Sequence, residues 1–149
     1  MTMRLNTGGL IDRTRPLSFQ FDGRPMVGFH GDSVASALMA NGVTVIARSF
    51  KYHRPRGFFG AGSEEPSAIV TIGTGARAEP NLVATQVPLR DGMVVTSQNR
   101  WPSLKWDVGA LNGLIAPLLP SGFYYKTFMW PKWAWKYYEH VIRNAAGFG

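Results

Sequence analysis

An α+β fold, with one small sheet crossed by a short helix, is what this sequence predicts, and three observations predict it. Short apolar runs separated by turn residues fill the first hundred positions, one segment with signals for both helix caps interrupts them, and the Trp residues crowd into the last fifty. The chain has 149 residues, the size of one domain, and 45% are hydrophobic against 17% charged, enough to build a buried core. Sixteen Lys and Arg against nine Asp and Glu give a formal charge of +7. That charge favours phosphates, acidic protein or nucleic acid without choosing among them.

Leu17-Ser18-Phe19-Gln20-Phe21 alternates apolar and polar residues, the period of a half-buried strand. Asp22-Gly23 signals a tight hairpin turn, and Arg24 to Phe29 makes the return strand. His30-Gly31-Asp32-Ser33 breaks the run, and Asp32 or Ser33 supplies the capping oxygen of a helix over Val34 to Ala40. Its inward positions are Val34, Ala37, Leu38 and Met39, and Asn41-Gly42 provides a left-handed stop. Val43 to Ala47 reads as a third strand, and Ala68 to Ile72 as a fourth, closed by Gly73-Thr74-Gly75. Leu82 to Leu89 and Met93 to Thr96 read as two more, joined by Arg90-Asp91-Gly92. A hairpin, a helix packed across it and further strands is the order of a β-grasp domain, and it fits other small α+β sheets too.

Composition shifts near residue 100. Trp101, Trp106, Trp130, Trp133 and Trp135 lie beyond it, as do Tyr124, Tyr125, Tyr137 and Tyr138. The expected organisation is an N-terminal arm over residues 1–15, a compact fold over 16–97 and an aromatic-rich helical extension over 98–149. In the extension, Asp107 caps a helix through Val108, Leu111, Leu114 and Ile115, ended by Pro117 and Pro120. A second helix is expected over Lys132 to Ala146. Aromatic side chains in this number pack against something, and Trp130, Trp133 and Trp135 read as a docking surface.

Several functions are excluded by what is absent. The cysteine count is zero, which removes disulfides, thiol nucleophiles and Cys-ligated zinc. No run approaches the roughly 18 apolar residues of a membrane span. Met1 to Asp12 lacks the apolar core of a secretory signal, so a cytoplasmic protein is expected. The Trp residues lie well beyond the basic loop around Arg54, and without interleaving there is little case for single-stranded nucleic acid. His30, His53 and His140 show no metal spacing, and Gly60-Ala61-Gly62 opens no helix as a dinucleotide fingerprint does.

The Gly-rich stretch Arg56 to Ser67 lies between strands, where a plant-type ferredoxin wraps its cluster with a C-x4-C-x2-C spacing and a further Cys. Setting the first position at Phe59 puts the next two at Glu64 and Ser67, and the fourth falls at Thr85. None of these is a thiolate, so no iron–sulfur cluster and no other metal is expected.

Longer strings carry a resemblance. Arg48-Ser49-Phe50-Lys51-Tyr52-His53-Arg54-Pro55-Arg56-Gly57, followed by Ala61-Gly62-Ser63-Glu64-Glu65-Pro66, resembles the N-terminal region of the alpha subunit of heterotetrameric sarcosine oxidase. So do Ser97 to Lys105, Gly122 to Pro131, and the opening Ile11-Asp12-Arg13 with Arg15-Pro16-Leu17. The resemblance covers residues 9–149. It implies a β-grasp, 2Fe-2S ferredoxin-like domain lacking the cluster, whereas the small subunits of hydrogen cyanide synthase and opine oxidases keep the cysteines.

The resemblance further implies that the whole enzyme demethylates sarcosine oxidatively with FAD, FMN and NAD and passes the one-carbon unit to tetrahydrofolate. The amine-oxidising flavin would lie in the beta subunit. This chain alone is then expected to be inactive and to bind no cofactor by itself. Its implied partners are the remaining alpha-subunit domains and the beta, gamma and delta subunits. The alternative is a free-standing accessory module that docks to a flavoprotein as a cofactor-binding or electron-transfer partner.

Arg48, Lys51, His53, Arg54 and Arg56 form the candidate site. One reading is contact with a flavin or NAD phosphate at a subunit boundary, where Arg gives bidentate bonds and Lys a point charge. The other is a loop tied to Glu64, Glu65 and nearby carbonyls. Adjacent residues in an extended loop point apart, which argues against an acid–base pair at Glu64-Glu65 and favours salt bridges to the arginines.

Overall fold

The computed structural model describes residues 3–114 and 131–145. Strands β1 (Asp12–Phe21) and β2 (Arg24–His30) pair antiparallel. Their turn places Asp22 at φ 48° and Gly23 at φ 77°, left-handed values that these two residue types accept at low cost. β1 starts at Asp12, ahead of the alternating stretch, and its register shifts between Asp12 and Pro16, a residue with no N–H for the ladder.

Helix α1 (Val34–Ala40) follows β2, and the Ser33 hydroxyl accepts from the Ser36 amide at 3.1 Å as its N-cap. Val34, Ala37 and Leu38 are fully buried. Met39, expected to face inward, is instead 48% exposed, because one further step of about 100° turns it off the buried stripe. Asp32 does not cap the helix. Its buried carboxylate accepts from the Phe29 amide and the Ser36 hydroxyl and takes a bidentate pair from Arg4 at 3.0 and 2.7 Å. It thereby locks the corner between β2 and α1. Gly28 on β2 sets how closely that corner packs, since a Cβ there would lie 2.3 Å from the Leu89 side chain and 3.1 Å from Ala37.

The other strands complete one mixed sheet. β7 (Met93–Ser97) runs parallel beside β1, with Phe19 opposite Met93. β5 (Ile69–Ile72) is antiparallel on its other side, and β6 (Glu79–Val83) lies outside β5. The order is therefore β2-β1-β7-β5-β6. Asp22 ties the hairpin turn to the end of β7 by accepting from the Ser97 amide at 2.9 Å and its hydroxyl at 2.7 Å. Phe19, Phe21, Val34, Leu38, Ile46, Val70 and Val95 are buried, each contributing about 1.5–3 kcal/mol of burial free energy.

Two strand expectations are corrected. Val43 to Ala47 does not join the sheet; only β3 (Ala47–Arg48) is a strand, paired with β4 (Pro55–Arg56) in a separate ribbon. Ile46 and Ala47 are fully buried, so this apolar run reflects burial and not sheet pairing. The strand expected over Leu82 to Leu89 begins at Glu79 and ends at Val83, and Ala84-Thr85-Gln86 turns away. Hence Arg90-Asp91-Gly92 closes no hairpin, and β7 finds its neighbours in β1 and β5.

Two compact units interleave in sequence. One takes residues 1–47 and 55–98, and the other takes 48–54 and 99–149, so the basic segment 48–54 groups with the later residues. Within the second unit, Asp107 does cap a helix, but it is a 3-10 helix over Val108–Gly113. Val108 and Leu111 on it, and Leu114 at its C-cap, are exposed. Ile115, Pro117, Pro120, Tyr124, Tyr125, Trp130 and Ala146 lie outside the described residues. Further on, a 3-10 turn over Lys132–Ala134 leads into helix α2 (Trp135–Ala145). Among the described residues, no helix is long and apolar enough to cross a membrane.

Candidate functional site

In the first unit, the loop that follows β4 turns its amides onto one side chain. The Glu65 residue is 3% exposed, and its Oε2 accepts from the amides of Phe59, at 2.6 Å, and Gly60. Its Oε1 accepts from the amides of Ser67 and Ala68 at 2.7 and 3.1 Å. Burial pushes this carboxyl up, but the amides of Gly60, Ser67, Phe59 and Ala68 outweigh it and hold the group below the ordinary glutamate range. The Thr85 hydroxyl reaches the same loop and donates to the Gly62 carbonyl at 2.7 Å.

Phe59, Glu64, Ser67 and Thr85 therefore surround one loop. Two of them contribute backbone amides to Glu65, Thr85 contributes its hydroxyl, and the Phe59 ring stands 88% exposed. Glu64 is exposed and, among the described residues, accepts from the Gly62 amide alone, at 3.2 Å. Among the described residues, neither Glu64 nor Glu65 makes the expected salt bridge to a neighbouring arginine. Glu65 is instead taken up by four backbone donors, two on each of its oxygens.

In the second unit, the basic segment folds around Asp107, whose side chain is fully buried. Asp107 Oδ1 accepts from the Trp101 amide at 2.8 Å and the Gly109 amide at 3.3 Å. Oδ2 lies 2.8 Å from His53 Nδ1 and 3.5 Å from Arg48 Nε, the latter an ion pair too long to be a hydrogen bond. An ionised carboxylate can only accept, so Nδ1 of His53 carries the proton. The Arg48 terminal nitrogens donate to the His53 carbonyl at 2.8 Å and to the Leu104 carbonyl. The Asn99 side-chain amide donates to the Arg48 carbonyl at 3.1 Å.

Of the five basic candidates, Arg48 and His53 thus face inward and hold the segment together. Lys51 and Arg54 flank the Tyr52 ring at 5.0 and 5.1 Å from its centroid, in cation–π geometry. Arg54 and Arg56 are exposed. His30 and His140 are exposed as well, and among the described residues no group of three or more His, Asp or Glu could hold a metal ion. A cavity of about 380 Å³ in the first unit borders Arg4 and Arg13, but Arg4 is engaged by Asp32, and Arg13 donates to the Leu5 and Gly8 carbonyls.

Sequence reasoning had Asp107 only as a helix cap. Its pairing with His53 and Arg48 crosses more than fifty residues, and no local pattern announces it. The sequence marks Glu65 as acidic but not which partners its side chain takes. The one available signal was an acidic residue inside a loop of glycine amides, a backbone arrangement that favours an anion.

The family described as "2Fe-2S iron-sulfur cluster binding domain" matches residues 14–100. The sarcosine oxidase subunit alpha of Rhizobium meliloti (strain 1021) is 63% identical over 98% of this chain, and the chain spans 15% of that relative's length. The sarcosine oxidase subunit alpha of Corynebacterium sp. (strain U-96) is 42% identical over 60% of this chain and 10% of its own. A crystal structure of L-proline dehydrogenase from P. horikoshii is similar at a TM-score of 0.46 and 20% identity, over 62% of this chain and 17% of that one.

The residues present do not fit the group that the matched family is named for. Such a cluster is held by thiolates, whereas the four positions offer a phenyl ring, a carboxylate and two hydroxyls, and the chain contains no cysteine.

Proposed function

This chain belongs to the 2Fe-2S iron–sulfur cluster binding domain family, and from that premise we propose a role without a cluster. The proposed role is that of a non-catalytic structural and assembly module in a multi-subunit flavin amine oxidase similar to sarcosine oxidase. The observation that carries it is an exposed stripe running from the 3-10 turn at Lys132–Ala134 along helix α2 of the second unit. Trp133, Tyr137 and Val141 recur every fourth residue and are 77%, 70% and 68% exposed. That spacing puts them on one side, and apolar surface of this kind marks an interaction site. Its occupant is the rest of a longer alpha-type subunit together with its beta subunit. The 63% identity to a sarcosine oxidase subunit alpha supports this choice of partner.

The chemistry then belongs to the partners. FAD, FMN, NAD and tetrahydrofolate are assigned to other parts of a cytoplasmic heterotetramer, and the chain by itself turns nothing over. Arg54 and Arg56, exposed as they are, take the contacts with a phosphate or with acidic groups of a neighbouring chain. Lys51 flanks them beside Tyr52, while Arg48 and His53 keep the segment in shape.

The test is co-purification, with this chain as bait and the alpha-type remainder and the beta, gamma and delta subunits as prey. A yellow complex without iron absorption is expected, and Trp133→Ala with Tyr137→Ala should abolish its recovery. A colourless chain that captures none of these subunits would sink the assembly role.

A further inference from the structure

Four amides converging on one buried carboxylate make an anion site, and this one is filled from within. Phe59 and Gly60 donate to one oxygen of Glu65, and Ser67 and Ala68 donate to the other. Each oxygen thus receives a pair of donors, an arrangement matched to a planar group with two equivalent acceptors. Buried amides need such partners, since an unsatisfied one is costly. The lowered pKa of Glu65 agrees with a carboxylate held in its charged form.

We propose that the loop over residues 59–68 is a carboxylate cradle occupied by the chain's own Glu65, and that removing this side chain converts it into a binding site for a small planar carboxylate. The adjacent Glu64 has no such role, being exposed and bonded to a single amide. This inference rests on the loop geometry and is independent of the assembly reading.

The experiment uses the full 149-residue chain with Glu65→Ala, Glu65→Gln and Glu64→Gln, melted across a formate series at constant ionic strength. Glu65→Ala is expected to melt roughly 5 °C below the parent. Formate should restore part of that loss and shift the amide resonances of Phe59, Gly60, Ser67 and Ala68 together. Glu65→Gln, which fills the space but turns a donor toward donors, should melt low and ignore formate. Glu64→Gln should melt like the parent.

A folded Glu65→Ala chain whose stability and loop amides do not respond to formate overturns the proposal, as does an equal response in the parent. Amide hydrogen exchange in the parent covers the case in which Glu65→Ala does not fold. The four amides should then exchange on the order of tenfold more slowly than those of Ser63 and Glu64. Equal rates at all six would overturn the proposal.

Discussion

The imidazole Nδ1 of His53 lies 2.8 Å from Oδ2 of Asp107, a residue 54 positions further along the chain. His53 reaches it from a left-handed backbone, φ 50°, which an ordinary side chain adopts only when its surroundings hold it there. The same carboxylate binds two backbone amides and pairs with Arg48, so one buried anion organises residues 48–54 and 99–109 together.

Removing that anion should loosen the whole segment. Asp107→Asn keeps the shape but leaves the Arg48 guanidinium without its countercharge, and breaking a buried pair of this kind costs about 3 kcal/mol. Limited proteolysis should show new cleavage within residues 48–54, while the amides of β1 and β7 keep their protection. Unchanged cleavage would remove Asp107 from its organising position.

Gly109 tests the same arrangement from its other side. A Cβ at Gly109 would lie 2.3 Å from His53 Nδ1 and from Cε1, distances no side chain tolerates. Gly109→Ala should therefore displace the ring and cost about 1–3 kcal/mol. The readout is the His53 ring resonances, which should move toward those of an exposed histidine.

The apolar stripe that starts at Trp133 in the 3-10 turn and continues along α2 should behave as surface in the isolated chain. Trp133 and Tyr137 are mostly exposed, so each Ala substitution should change stability by less than about 1 kcal/mol in urea unfolding. A loss of several kcal/mol at Trp133 would make it a core residue and defeat the docking role.

Acid should weaken the Glu65 loop in a defined direction. Its folded pKa lies below the unfolded one, because four amides outweigh the effect of burial. The contribution is therefore complete above the ordinary glutamate range, near pH 4.3, and is lost as pH falls through the lowered folded value. Melting temperature should fall across that acid limb in the parent, and the limb should flatten in Glu65→Gln.

Much of the fold was legible in local signals. The bounds of α1 follow from Ser33 at one end and Asn41-Gly42 at the other, and the β1–β2 hairpin follows from Asp22-Gly23 between alternating runs. These devices act within a few residues, where steric and capping preferences decide the backbone. The absence of a thiolate was equally readable, since it is a matter of composition alone.

Tertiary structure decided the pairings. Nothing near Met93 says that β7 will run parallel to β1, because partners so far apart are chosen by which surfaces bury together once the chain closes. For the same reason Val43 to Ala47 looked like a sheet strand, although it is buried without joining the sheet. The two adjacent glutamates carry the distinction furthest. Glu64 and Glu65 are the same residue type in the same loop, yet one is exposed and the other gathers four amides. Only the folded path of the loop, which brings Phe59 and Gly60 back toward Ser67 and Ala68, separates their roles.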